Sequence, residues 1–252
     1  MSGHLACIGV GMMLGAHLTP RARGHLEAAE VLFALVSDPL VEHWLATLHP
    51  GLRSLQGHYA EGRPRPQSYR AMVDSILAEV RAGRRVVAAF YGHPGVFARV
   101  PHAAIAAARE AGFEAVMEPG ISAADCLYAD LGLDPGQHGC AHYEATQLLI
   151  EARRLDVHAW LVLWQVGLAG DRSHAVREST PAQRQELVDR LLRDYPAQHP
   201  VTLYEAATLP VGRPRIDTVP LAALAAAPLS MATTAVLPPR GRAPQAGVGN
   251  PC

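Results

Sequence analysis

VVAAFYGHPGVF, running from Val86 to Phe97, decides the fold: an apolar run of strand length ends in a turn built on Gly92, Pro94 and Gly95. An alanine-rich helical segment, His102 to Ala111, follows, and then a second short apolar run, Ala115 to Met117. Strand, turn, helix and strand in succession make the unit of a parallel sheet, because a parallel neighbour is reached only through a crossover. The glycines and the proline stand at a strand's carboxyl end, where open α/β sheets bind ligands and where bare backbone lets a ligand approach closely.

Working outward, an earlier unit of the same kind opens the chain. The apolar run Leu5 to Val10 enters the turn GVGMMLGAHLTP, and Thr19 to Ala34 reads as a helix because Leu26, Ala29 and Phe33 recur at helical spacing. Gly9 and Gly11 follow the strand, but the third glycine of a dinucleotide fingerprint is missing, so this turn alone is equally a plain tight turn. Downstream, EPGISAADCLYADLG (118–132) breaks the pattern, with Ser122 as candidate N-cap for a helix from Ala123 to Leu131. Free N–H groups at that helix start suit a carboxylate or a ribose oxygen.

The domain boundary is expected here, giving an N-terminal α/β domain (1–118) and a C-terminal α/β domain (119–239). In the second, Trp160 to Val166, Val201 to Glu205 and Thr233 to Leu237 read as strands, and Pro181 to Asp194 as a helix. The ending from Pro238, rich in Pro, Gly and Arg, reads as a flexible tail (240–252). A mostly parallel α/β sheet is the expected class.

Composition removes several functions. All 22 basic residues are arginine, which excludes Schiff-base chemistry and the P-loop lysine. A net charge of -1 leaves no electrostatic footprint for nucleic acid or an anionic membrane surface. No apolar run has the length to span a bilayer and no basic leader precedes the first one, so a cytoplasmic protein is expected. Cys7, Cys126, Cys140 and Cys252 are scattered without a CxxC pair. His138, Cys140 and His142 are close in sequence, but the loop signals around Gly139 do not set them on one helical face, and no metal site is expected.

The three turns, in their order and spacing, resemble the tetrapyrrole methylases that use S-adenosylmethionine. That resemblance implies a two-domain class III methyltransferase fold with an inter-domain cleft lined by the turns. Met12 and His93 stand where that family usually has a proline and an aspartate. YGHPGVF with PGISA, WQVG (Trp164 to Gly167) and YEAA (Tyr204 to Ala207) is closer still to the borosin peptide N-methyltransferases. Fused borosin enzymes carry their core peptide after the catalytic domain, whereas a short tail follows Pro239 here, which resembles the split type acting on a separate precursor peptide. The resemblance further implies a homodimer.

Amide N-methylation needs a base and an oxyanion donor, since the nitrogen lone pair is delocalised into the carbonyl. HYAEGRPRPQSYRAM supplies Tyr59, Arg65 and Tyr69, with Pro66 in a favourable first helical turn and Arg65 one turn before Tyr69 on the same face. Tyr69 also heads the apolar stripe Met72, Ile76 and Val80, so spacing alone reads it as well as a packing residue. The borosin resemblance assigns catalysis to Arg65, Tyr69, Tyr59 and Tyr91: Arg65 for the imidate oxygen, Tyr69 as base, Tyr59 and Tyr91 to orient the amide. It assigns the cofactor, S-adenosylmethionine yielding S-adenosylhomocysteine, to Tyr91, His93, Val96, Ser122, Ala123, Gln165, Ala206, Thr233 and Thr234. The alternatives are a precorrin- or uroporphyrinogen-type methyltransferase, whose substrate carboxylates would need converging arginines, and a non-catalytic peptide-binding protein on the same fold.

Overall fold

Strands with continuous apolar runs are stable only with both faces covered, and Leu5–Ile8, Val31–Leu35 and Val86–Phe90 are such runs in the five-stranded sheet that opens the chain. In the computed structural model, which describes residues 3–36, 38–59, 64–151, 153–171 and 178–241, its strands are β1 (His4–Gly9), β2 (Val31–Leu35), β3 (Leu52–Ser54), β4 (Arg85–Phe90) and β5 (Glu114–Glu118). All pair in parallel, in the order β3-β2-β4-β1-β5. Four helices connect them: α1 (Pro20–Ala28), α2 (Pro39–Leu48), α3 (Arg65–Arg81) and α4 (Arg99–Glu110).

The two-residue period of a strand sorts the side chains onto two faces. Leu5, Cys7, Val86, Ala88 and Phe90 pack with Met72, Ile76 and Val80 of α3 and Val100 and Ala104 of α4. Ala6, Ile8, Val87 and Ala89 pack on the opposite face with Ala22 and Leu26 of α1 and Val41 and Leu45 of α2.

The single helix expected from Thr19 to Ala34 is corrected. α1 starts where Thr19 caps the backbone N–H of Ala22 and Pro20 takes the first turn, and it ends at Ala28. Val31–Leu35 is instead strand β2, buried on both faces, so its continuous apolar run carried no alternation to set it apart from a helix.

The chain divides into two units, Met1–Ala123 with Thr208–Val211 and Ala124–Ala207 with Gly212–Cys252. Thr208 belongs to the first unit through its carbonyl, which accepts from the backbone N–H of Leu14 at 2.9 Å. The second unit holds α5 (Ala123–Leu131, all but its first residue), α6 (Pro135–His138), β6 (Cys140–Glu144), α7 (Ala145–Ile150), β7 (Trp160–Trp164), α8 (Pro181–Leu191), β8 (Pro200–Glu205), β9 (Arg215–Pro220) and β10 (Thr234–Leu237). Its sheet runs β6-β7-β10-β8-β9 and is mixed, parallel only between β6 and β7. The expectation of a mostly parallel sheet therefore holds for the first unit and not for the second. Leu161, Leu163, Leu203, Ala235 and Leu237 face a core completed by Leu187, Val188 and Leu191 of α8. Of the expected tail, residues 242–252 lie outside the described residues.

Candidate active site

In the first sheet β1 and β4 are neighbours, yet the helices that follow them, α1 and α4, cover opposite faces. The two connections diverge and leave a crevice at the carboxyl ends, the switch point where such sheets bind ligands. Backbone hydrogen bonds join the loops there: Val10 N–H to Phe90 O at 2.9 Å, Gly11 N–H to Gly92 O at 3.2 Å, and Gly92 N–H to Gly11 O at 2.9 Å.

The loop after β5 closes on the same point. A Cβ on Gly120 would lie 2.3 Å from the Gly92 carbonyl oxygen and 2.8 Å from Gly9 Cα, and one on Gly9 would lie 2.4 Å from that same oxygen. Three strand ends thus meet through three glycines, which is the physical need behind the quoted turns.

Beyond the crevice the first unit gathers all four residues expected to carry catalysis. Arg65 opens α3 and Tyr69 follows one turn later. Tyr59 follows the short 3-10 turn Gln56–His58 and sets its ring edge-on to that of Tyr69, centroids 6.3 Å apart. Tyr91 follows β4 directly. Tyr59 and Tyr91 are exposed over about half their surface (44% and 52%), yet desolvation around their hydroxyls raises both phenols above the ordinary value; the neighbouring Tyr69 raises each further and the Arg65 charge opposes the shift in each. Among the described residues no carboxylate pairs with Arg65. Its charge acts instead on the Tyr59 and Tyr91 phenols. Tyr69 is half-buried against the Met72, Ile76 and Val80 stripe, so it serves packing as well.

The residues expected at the cofactor fall in two groups. Tyr91, His93, Val96, Ser122 and Ala123 lie in the first unit. His93 turns its ring inward, its Nδ1 accepting from the N–H of Gly95 at 2.8 Å, which closes the Gly/Pro turn. Val96 is exposed and Ser122 buried just ahead of α5.

Gln165, Ala206, Thr233 and Thr234 lie in the second unit, at the carboxyl ends of β7 and β8 and the start of the antiparallel β10. Gln165 holds a left-handed backbone (φ 58°, ψ 38°), rare for a residue with a Cβ and concentrated at functional sites. Thr233 is fully buried and already satisfied. Its hydroxyl donates to Glu205 Oε1 at 2.5 Å and accepts from Ser230 N at 2.7 Å, while its carbonyl accepts from Val166 N at 3.3 Å.

Two polar groups, Glu118 and Glu205, escaped the sequence reading, and a third, His142, has partners it did not foresee. Glu118 is clamped by Arg21 through two bonds (2.6 and 2.8 Å) and by His25, holding its carboxyl below the ordinary value through the Arg21 hydrogen bond first. Glu205 collects Thr233, Ser230 and Arg215. His142 binds Tyr128, Cys140 and Trp164. Cys140 and His142 share one face of strand β6, and among the described residues no trio of His, Cys, Asp or Glu is placed to hold a metal ion. No described helix is long and apolar enough to cross a membrane.

Comparison with known proteins places these observations. Residues 4–225 match the family described as Tetrapyrrole (Corrin/Porphyrin) Methylases. The Gymnopus fusipes methyltransferase and ribosomally synthesized gymnopeptides precursor is 40% identical over 223 residues, 88% of this chain and 53% of that one. The corresponding omphalotin A precursor of Omphalotus olearius is 38% identical over 245 residues, 96% of this chain and 59% of its own. The chain thus spans little more than half the length of these relatives. Among solved structures, uroporphyrin-III C-methyltransferase from Thermus thermophilus superposes with a TM-score of 0.67 at 25% identity, covering 95% of this chain and 93% of that one. A uroporphyrin-III C-methyl transferase from Thermus thermophilus complexed with S-adenyl homocysteine shares the fold, with a TM-score of 0.64 at 19% identity over 94% of this chain and 97% of that one.

Proposed function

The chain belongs to the tetrapyrrole (corrin/porphyrin) methylases, and we propose that it is an S-adenosylmethionine-dependent methyltransferase that N-methylates backbone amides of a precursor peptide supplied as a separate molecule. The observation that carries this reading is the convergence of Tyr59, Arg65, Tyr69 and Tyr91 in one unit beside the glycine junction. The relatives, named as methyltransferases joined to peptide precursors, support a peptide substrate.

The glycine junction supports a cofactor at these strand ends: with no Cβ at Gly9 or Gly120 the loops after β1, β4 and β5 pack backbone to backbone, and bare backbone ends the strands where such sheets bind ligands. When bound there, S-adenosylmethionine supplies an electrophilic methyl group on its sulfonium. The residues that would hold it are Tyr91, His93, Val96, Ser122 and Ala123 of the first unit and Gln165, Ala206, Thr233 and Thr234 of the second, the Thr233 hydroxyl bracing its own loop. Arg65 stabilises the negative charge that moves onto the amide oxygen as the N–H proton leaves. The phenolate form of Tyr69 takes that proton and becomes the neutral phenol, leaving the nitrogen lone pair free to form the new N–C bond. Tyr59 and Tyr91, whose raised pKa keeps their hydroxyls protonated, donate hydrogen bonds that orient the peptide plane. A homodimer completes the proposal.

The test is incubation with S-adenosylmethionine and a candidate precursor peptide encoded beside the gene, read by tandem mass spectrometry. Methyl groups on backbone nitrogens are the expected result; methylation confined to side chains, or none, overturns it. The likeness to uroporphyrin-III C-methyltransferase favours a second reading, tetrapyrrole methylation. Turnover of uroporphyrinogen III in a parallel assay, with the peptide untouched, would establish that one instead.

A further inference from the structure

A polar cluster outside the quartet lies on one face of the second sheet. His142 on β6 and Trp164 on β7 are diagonal neighbours in the parallel register, His142 opposite Val162 and Glu144 opposite Trp164. Their rings stack with centroids 5.7 Å apart and planes 25° from parallel. The Trp164 indole N–H donates to His142 Nδ1 at 3.1 Å. On the other side of the ring, Nε2 meets the Tyr128 hydroxyl of α5 at 2.6 Å and Cys140 Sγ at 3.2 Å.

These contacts fix the chemistry of the ring. An indole N–H can only donate, so Nδ1 must be an unprotonated acceptor, and the neutral imidazole then carries its proton on Nε2. Burial lowers the His142 pKa, in keeping with the neutral ring. A histidine whose Nε2 already bears a proton is a donor toward Tyr128 and Cys140 and cannot act as their base. Both of those groups are raised above their ordinary values, burial being the largest cause in each. A Cys/His nucleophile is thereby excluded, and what remains is a device that holds Trp164 in one orientation.

The residue so held is the last of β7, and the next is Gln165, in its left-handed conformation. From the other side this turn is wedged by Gly167, where a Cβ would lie 2.2 Å from the Ser230 carbonyl oxygen. We infer that His142 is a positioning residue for cofactor binding: by accepting from Trp164 it locks the end of β7 and so holds Gln165 in the strained turn that presents its side chain. The inference rests on the proposed role of Gln165 at S-adenosylmethionine.

The experiment pairs His142→Phe, which keeps a stacking ring but removes the acceptor, with His142→Gln, whose amide oxygen restores one. Calorimetric titration with S-adenosylmethionine and thermal melting are read for both variants and the wild type. The Trp164 indole proton, followed by 15N NMR, reports the hydrogen bond itself. The phenylalanine variant is expected to lose about five- to tenfold in affinity, the worth of one buried hydrogen bond, and to shift the Trp164 resonance upfield. The glutamine variant is expected within about threefold of wild type by the same measure. Unchanged affinity in His142→Phe, whether or not melting falls, overturns the inference by leaving only a structural role. A glutamine variant as weak as the phenylalanine one overturns it too, since the acceptor would then not matter. No binding by the wild type would instead defeat the cofactor reading, and this inference with it.

Discussion

Replacing Gly120 by alanine adds one methyl group where three strand ends meet. Its Cβ would stand 2.3 Å from the Gly92 carbonyl oxygen, 2.8 Å from Gly9 Cα and 3.0 Å from Gly9 C, all backbone atoms that cannot swing aside. No left-handed φ is involved at Gly120, so the effect is steric. The loops after β1, β4 and β5 must separate, and overpacking of this kind costs about 1–3 kcal/mol. At roughly 2–4 °C per kcal/mol for a chain of this size, the midpoint falls by about 2–12 °C. Because the strain is released in the loops proposed to hold S-adenosylmethionine, affinity for it should fall at least about tenfold, equivalent to 1.4 kcal/mol. Gly24→Ala is the matched control. Gly24 lies inside α1 with nothing beyond its chain neighbours and the helix's own backbone within 4 Å of where the added methyl group would stand, so alanine there should stabilise by about 0.5–1 kcal/mol and leave the ligand untouched. Scanning calorimetry and isothermal titration on both variants provide the readout. A Gly120→Ala protein with wild-type melting and wild-type affinity would refute the glycine junction as the reason for these turns.

Other outcomes follow from the same geometry. Tyr69→Phe keeps the ring that meets Tyr59 edge-on and the α3 stripe, so melting should hold while methylation nearly stops; Tyr69→Ala should in addition lose about 3 kcal/mol of stability. An active phenylalanine variant would remove Tyr69 as the base. Arg65→Lys should lower turnover about a hundredfold with cofactor affinity intact, because a point charge does not replace a planar fork; full turnover in steady-state kinetics would contradict this. The Glu118 carboxyl is held below its ordinary value of 4.5 by Arg21 and His25. Its stabilisation is therefore complete above that value and lost as pH falls through the lower native one, so acid melting curves of Glu118→Gln should be flatter than wild type below about pH 4.5, and parallel curves would exclude it. Light scattering at micromolar concentration should give the mass of a dimer, and a monomer mass would contradict that part of the proposal.

What could be read in advance depended on the range of the interactions involved. The strand, turn and helix units around Gly92 and Gly120 are local, each announced by an apolar run and its breaker, and their order already pointed to ligand-binding strand ends. Arg65 and Tyr69 were legible because helical spacing puts them on one face. β2 was hidden, since a five-residue run buried on both faces has no alternation and Leu26, Ala29 and Phe33 happened to fit a helical period. β9 was missed for the opposite reason: it is an edge strand, RIDTVP, mostly exposed and lacking an apolar stripe. The polar clamps have no local signature at all. Glu118 finds Arg21 across 97 residues and Tyr204 finds Asp130 across 74, distances over which only the folded sheet brings partners together. The same holds for Thr233. Resemblance named it as a cofactor contact, yet its hydroxyl serves Glu205, and the loop it steadies is the one that receives Val166, next to Gln165. A residue assigned by motif to the ligand can thus act one layer behind it. If so, Thr233→Val should weaken S-adenosylmethionine binding only as far as it loosens that loop, with Glu205→Gln producing the same loss and the double variant no more than either alone. Additive losses in the titration would return Thr233 to direct contact with the ligand.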